Sequence, residues 1–197
     1  MERKLHAGNR FLLNHPFYRD WTDGKLCERD LAVYAAEYLY FVRDILPVAW
    51  ERLGFGEISE EEREHAALWE EFGKSFNYDP EGHPATGSMK RLKGLFDEFK
   101  HDRPSLVGFL YAFEHQQPEI SRTKLEGLER WFNVEERGKE YFREHSGNSH
   151  EIEILEREMA GMTDGEFVRC RQAFDRTVNA LWDLLTDIQR MASEVAA

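Results

Sequence analysis

The stretch 109–132, FLYAFEHQQPEISRTKLEGLERWF, constrains this chain more than any other part of it. Wound as a straight α-helix, it sets Leu106, Leu110, Phe113, Leu128 and Trp131 on one narrow apolar face. Glu114, Gln117, Ser121 and Lys124 fall within or beside the same arc. A face used only for packing does not carry four polar groups in its middle, because each costs free energy unless it is bonded. Pro118 lacks a backbone N–H and clashes with the turn before it, so a kink is expected there that frees the Glu114 carbonyl. The stretch reads as a broken helix lining a polar pocket.

The rest of the chain follows the same period. His15-Pro16-Phe17-Tyr18 opens a short helix that Gly24 stops. A long helix is expected over 28–53, bent at Pro47. Ser59-Glu60-Glu61-Glu62 reads as a capping box opening the next helix, and Thr163-Asp164-Gly165-Glu166 as a second one opening the last. Pro80, Gly82, Pro84 and Gly87 mark a loop, and Ser146-Gly147-Asn148-Ser149 interrupts a late helix. No stretch alternates with period two, and there is no repeat or linker. The expectation is one all-α domain over 1–197, a compact bundle of seven to eight helices.

Composition narrows the function. A formal net charge of -12 and the lack of a basic patch argue against nucleic acid and against anionic membrane surfaces. No apolar run reaches the roughly 18 residues a membrane helix needs. Cys27 and Cys170 form no CxxC pair, and the opening MERKLHAGNR has no apolar signal core; both fit a cytoplasmic protein. A Gly-rich phosphate loop, a nucleophile elbow and an HExxH motif are all absent.

Individual residues carry more. Two uses fit a carboxylate at Glu114 on an apolar face, a structural ion pair or a functional group. Lys124 is either a snorkelling side chain or a buried amine with a lowered pKa suited to acid–base work. His65, read alone, is a histidine at the edge of the core, with Glu61 one turn before it. His145 and His150 are five residues apart and point to different faces of an unbroken helix.

Together, HPFYRDWTDGKL, HAALWEEF, LYAFEHQQPEISRTKLEGL and YFREH resemble the haem-oxygenase-like helical superfamily, which includes TenA-like thiaminases, PqqC oxidases and CADD-like di-iron oxygenases. The resemblance is closest to the CADD-like branch and covers nearly the whole chain. It implies that fold and no haem. Carried over position by position, the branch's metal ligands match His65, Glu114 and His145, while the other three positions fall on Ile58, Ser149 and Ile152. Isoleucine cannot bind a metal and serine is a poor ligand for iron. The expectation is therefore no metal or a single weakly held iron, and no intact di-iron centre. A slipped register would instead offer Glu61, His150 or Glu153.

The resemblance also implies an enzyme that oxidises a small organic substrate with dioxygen. Glu114, Lys124, Tyr18 and Tyr141 are its expected catalytic residues; Tyr18 matches a tyrosine the branch is thought to use as its own substrate or radical site. His15, Trp21, Tyr38 and Gln117 are the expected substrate-binding residues, and a homodimer is expected as in many relatives. Two alternatives are a non-catalytic ligand-binding relative with a degenerate metal site and a TenA-like hydrolase, although Gln116 and Gln117 stand where that group has its cysteine.

Overall fold

The computed structural model describes residues 3–80, 82, 85–147 and 149–194. Pro84 and Asn148, expected in a loop and in a helix interruption, lie outside the described residues. Ten α-helices run in order: α1 (Pro16–Thr22), α2 (Glu28–Asp44), α3 (Leu46–Leu53), α4 (Gly56–Lys74), α5 (Gly87–Phe99), α6 (Arg103–Glu114), α7 (Gln117–Trp131), α8 (Glu140–Gly147), α9 (His150–Ala160) and α10 (Asp164–Glu194). The described residues contain no strand. Three pairs are single helices broken in the middle: α2/α3 before Pro47, α6/α7 before Pro118 and α8/α9 after Gly147. Counted that way the bundle has seven members.

Local chemistry explains the ends. Pro16 sits in the first turn of α1, where its missing N–H costs nothing, and Gly24 follows the helix with a φ of 67°. Asp102 accepts from Ser105 N at 3.2 Å to cap α6. Thr163 and Glu166 cap α10 reciprocally, Thr163 N donating to Glu166 Oε2 at 2.8 Å. The expected box at Ser59–Glu62 is not one. α4 starts earlier, at Gly56, and Ser59 Oγ donates instead to the Pro47 carbonyl at 2.8 Å. Glu62 is therefore a buried residue in the body of the helix.

Pro118 does more than kink. The chain leaves the helix at His115 and Gln116 and restarts with Pro118 in the first turn of α7. Trp131, expected on the apolar face, is instead 42% exposed; it covers Gly24 and its Nε1 donates to the Thr22 carbonyl at 3.1 Å. The long α10 packs on α6, α5 and α2, α4 on α2 and α3, α7 on α8, and α9 on α6. α6 reaches α10 closely because Gly108 has no side chain: a Cβ there would stand 2.0 Å from the Cys170 carbonyl oxygen. This packing turns the C-terminal end of α6, the middle of α4 and the α8/α9 break toward one another.

Candidate metal and redox site

On α4, Ile58, Glu62, Trp69 and Phe72 are buried and His65 is half-buried, so positions four and three apart form one inward face. The carboxylate on that face, Glu62, is 1% exposed. α8 brings His145 alongside. One ligand atom each from Glu62, His65 and His145 lie within 4.8 Å of one another. The His65 and His145 rings are 4.5 Å apart, and Glu62 Oε1 is 3.7 Å from His65 Nδ1. His145 Nδ1 donates to the Tyr141 carbonyl at 2.7 Å, which leaves the Nε2 lone pair free to bind. Tyr141 also stacks on the His145 ring, with centroids 4.1 Å apart.

Glu114 ends α6 and accepts from Trp50 Nε1 at 3.2 Å. Burial raises its pKa well above the carboxylate range, the negative charges of Glu62 and Glu151 add to this, and the Trp50 N–H opposes it. Burial likewise raises Glu62, with His65 opposing and Glu151 and Glu61 reinforcing. Burial works against a charged His65, but the Glu62 contact and the charges of Glu62, Glu151 and Glu61 outweigh it and raise the His65 pKa. His145 goes the other way, to about 3, through burial and then the neighbouring His65. Glu151, on the first turn of α9, is buried.

Beside this cluster, aromatic rings surround Lys124. Lys124 is 2% exposed, and its Nζ stands 5.1 Å from the Tyr34 ring, 5.2 Å from Phe142, 5.5 Å from Trp69, 5.7 Å from Tyr18 and 5.9 Å from Tyr38. Ring faces attract a cation, so this arrangement compensates part of its desolvation. Burial still lowers the Lys124 pKa to about 7. Tyr18 Oη and Tyr34 Oη are 3.3 Å apart. Tyr38 Oη and Tyr141 Oη are buried with no hydrogen-bond partner. Burial raises the Tyr141 phenol well above its usual value, followed by Glu62, Glu114, Tyr18 and Tyr38 in decreasing order. Tyr141 stacks on His145 and meets Trp69 edge-on at 4.8 Å, so it touches both the cluster and the aromatic rings around Lys124.

The remaining expected residues take other positions. His15 is the N-cap of α1: Nδ1 accepts from Phe17 N at 3.1 Å, and Nε2 pairs with Thr186 Oγ1 at 3.0 Å. Trp21 Nε1 donates to the Lys124 carbonyl at 3.2 Å, with its ring against Gly127. Gln117 is buried and accepts from Ser121 Oγ at 3.5 Å. Gln116 ties α6 to the N-terminal segment, accepting from Leu12 N at 2.8 Å.

Of the substituted ligand positions, Ile58 is buried one turn before Glu62. Ser149 is exposed, its Oγ donating to Glu153 Oε1 at 3.2 Å. Ile152 lines a surface hollow of about 410 Å³ with Phe11, Tyr111 and His115. The proposed substitutes Glu61, His150 and Glu153 are all exposed. Glu62 is not among the ligands expected from the sequence, because Ser59 three residues earlier mimics a cap, although the Glu62-x-x-His65 spacing is visible there.

The donor set fits a metal such as iron. It combines one buried carboxylate with two imidazoles, and Glu62 Oε2 is buried without a hydrogen-bond partner. Among the described residues, no Lys or Arg forms an ion pair with Glu62 or Glu114, whose buried charges a metal would neutralise.

Residues 38–182 match a family described as iron-containing redox enzyme. The chain is 29% identical over 157 residues to a 4-aminobenzoate synthase of Nitrosomonas europaea, covering 65% of this chain and 63% of that protein. It is 26% identical to the 4-aminobenzoate synthase of Chlamydia pneumoniae over 90% of this chain and 89% of the relative. A domain of unknown function with a heme oxygenase-like fold from Shewanella denitrificans superposes with a TM-score of 0.80 at 15% identity, covering 96% of this chain and 90% of the other. A TenA homolog from Pseudomonas syringae superposes at 0.79 and 14%, covering 93% and 88%. These two structures establish the shared helical fold. With the family match spanning most of its length, the chain belongs to the iron-containing redox enzymes of the haem-oxygenase-like superfamily.

Proposed function

We propose that this protein is an iron-dependent oxidase that uses dioxygen to oxidise a phenol held in the chamber around Lys124. The observation that carries the reading is the juxtaposition of a carboxylate–imidazole cluster with a ring of buried aromatics around a buried amine, Tyr141 stacking on His145 and touching Trp69. Relatives named 4-aminobenzoate synthase support a substituted benzoate as the product class. Iron held by Glu62, His65, Glu114 and His145 would supply the capacity to bind and reduce dioxygen.

The protein's own groups then have distinct tasks. Trp50 Nε1 holds Glu114 in place, and the Tyr141 carbonyl holds His145 in the tautomer whose Nε2 can bind. Tyr141 Oη keeps its proton at neutral pH and can donate it toward the cluster. Lys124 Nζ, with a pKa of about 7, is neutral in a large fraction of molecules and can accept a proton or act as a nucleophile. The aromatic walls exclude water. Dioxygen accepts the electrons and the phenol loses them; that phenol is Tyr18 itself or a small molecule seated against it.

The test is to load the protein anaerobically with ferrous iron, admit air, and follow oxygen uptake while analysing products and the Tyr18 peptide by mass spectrometry. Oxygen uptake that Tyr18→Phe and Lys124→Met each abolish is expected. A changed Tyr18 peptide identifies the protein's own phenol as substrate, and an unchanged one a free phenol. No oxygen uptake by the iron-loaded protein contradicts the proposal.

A further inference from the structure

We propose that the surface hollow between the N-terminal segment, the end of α6 and α9 binds a planar aromatic molecule whose N–H or O–H group donates to His115 Nε2. The inference is independent of the redox reading, because the hollow uses none of the residues assigned there to iron or to the phenol. Its volume of about 410 Å³ lies in the range that small-molecule sites occupy.

The first observation is an unused acceptor. His115 Nδ1 donates to the Tyr111 carbonyl at 2.6 Å; a carbonyl only accepts, so the proton sits on Nδ1 and the lone pair on Nε2. That Nε2 is buried with no hydrogen-bond partner among the described residues. An unpaired buried acceptor costs free energy that a ligand's donor recovers. Burial lowers the His115 pKa to about 4, with the Tyr111 carbonyl opposing and His6 reinforcing, so the ring is neutral at physiological pH. The second observation is the wall. The Tyr111 ring stacks on His115 with centroids 5.0 Å apart and planes at 17°, Phe11 meets His115 edge-on at 6.4 Å, and Ile152 lines the hollow from α9. These surfaces favour a flat apolar body. The third is charge. Tyr111 Oη donates to Glu156 Oε1 at 3.0 Å, and Glu156 Oε2 lies 3.6 Å from Lys4 Nζ. Carboxylate and amine offset each other at the rim, so neither an anion nor a cation is selected. Among the described residues, three metal donors cluster only at Glu62, His65 and His145, so His115 points to an organic donor and not to a metal. The segment carrying His6 and Phe11 has only two three-residue 3-10 turns, and it yields to a ligand more readily than a helix does.

The test is heteronuclear NMR of the full chain carrying isotope-labelled histidine, titrated with indole and with N-methylindole, which has nearly the same shape but no N–H. The His115 Nε2 signal is assigned by its loss in His115→Phe. Indole is expected to move that signal as the nitrogen accepts a hydrogen bond, and N-methylindole to bind roughly tenfold more weakly without the same shift. His115→Phe keeps an aromatic ring but no acceptor and should bring the two probes to equal affinity. If it fails to fold by circular dichroism, His115→Gln supplies the assignment and Ile152→Trp, which narrows the hollow from α9, should lose indole binding. Equal affinity for the two probes in the wild type, a His115 Nε2 signal that indole leaves unmoved, or undiminished indole binding by Ile152→Trp overturns the inference.

Discussion

The interior holds two charged regions that meet the cost of burial in opposite ways. Around Lys124 there is a cation with no carboxylate paired to it, surrounded by five ring faces, and its charge is weakened by a pKa lowered to about 7. On the other side stand Glu114 and Glu62, which have no Lys or Arg partner among the described residues and whose pKa values are raised. Pairing the amine with a carboxylate would satisfy both groups. The fold keeps them in separate clusters, with His145 feeling the charges of His65 and Lys124. A structural ion pair would join them; a reaction site needs the amine deprotonatable and the carboxylates open to a metal.

The largest expected effect concerns the amine. Lys124 falls from an ordinary pKa of 10.5 to about 7 on burial. As pH drops through that window the unfolded chain takes up the proton first, so the stability present above the unfolded pKa is lost as pH approaches the folded one. Lys124→Met removes the effect. Its stability advantage over the wild type in urea unfolding should grow between pH 10 and pH 7 by on the order of 4 kcal/mol. An advantage independent of pH would show that Lys124 is paired after all.

The carboxylate region should respond differently. Glu114→Gln is expected to raise metal-free stability near neutral pH, because a buried carboxylate with a raised pKa loses stability as pH rises through its folded value. It should also lower oxygen uptake by roughly 100-fold or more. Trp50→Phe removes the N–H that orients Glu114 and should weaken iron affinity by roughly tenfold, measured by competition with a chelator. His15→Ala, outside both regions, should cost about 1 kcal/mol for a lost cap and leave iron content unchanged.

The fold was legible in the sequence because its signals are local. Helical period, Pro at first turns and Gly after helices are written in adjacent residues. Half of the site was legible for the same reason: Glu114 and Lys124 are polar groups on an otherwise apolar face. Glu62 satisfies that same criterion on α4, where the face runs through Ile58, Trp69 and Phe72. It was overlooked because Ser59 three residues earlier mimics a cap. Glu151 is buried on the first turn of α9, and α9 packs on α6, a contact between segments far apart in the sequence. His15, expected to bind substrate, caps α1 and pairs with Thr186 on α10, a contact far along the chain that no local pattern reveals.

The most direct test of the account is crystallographic. Crystals soaked anaerobically in ferrous iron and measured on both sides of the iron absorption edge locate the metal from anomalous scattering. The expected result is an iron peak at Glu62, His65 and His145, with Lys124 unbound among its aromatic neighbours. Peaks among exposed carboxylates such as Glu61 and Glu153, or an ion pair between Lys124 and Glu114 in place of metal, would contradict it.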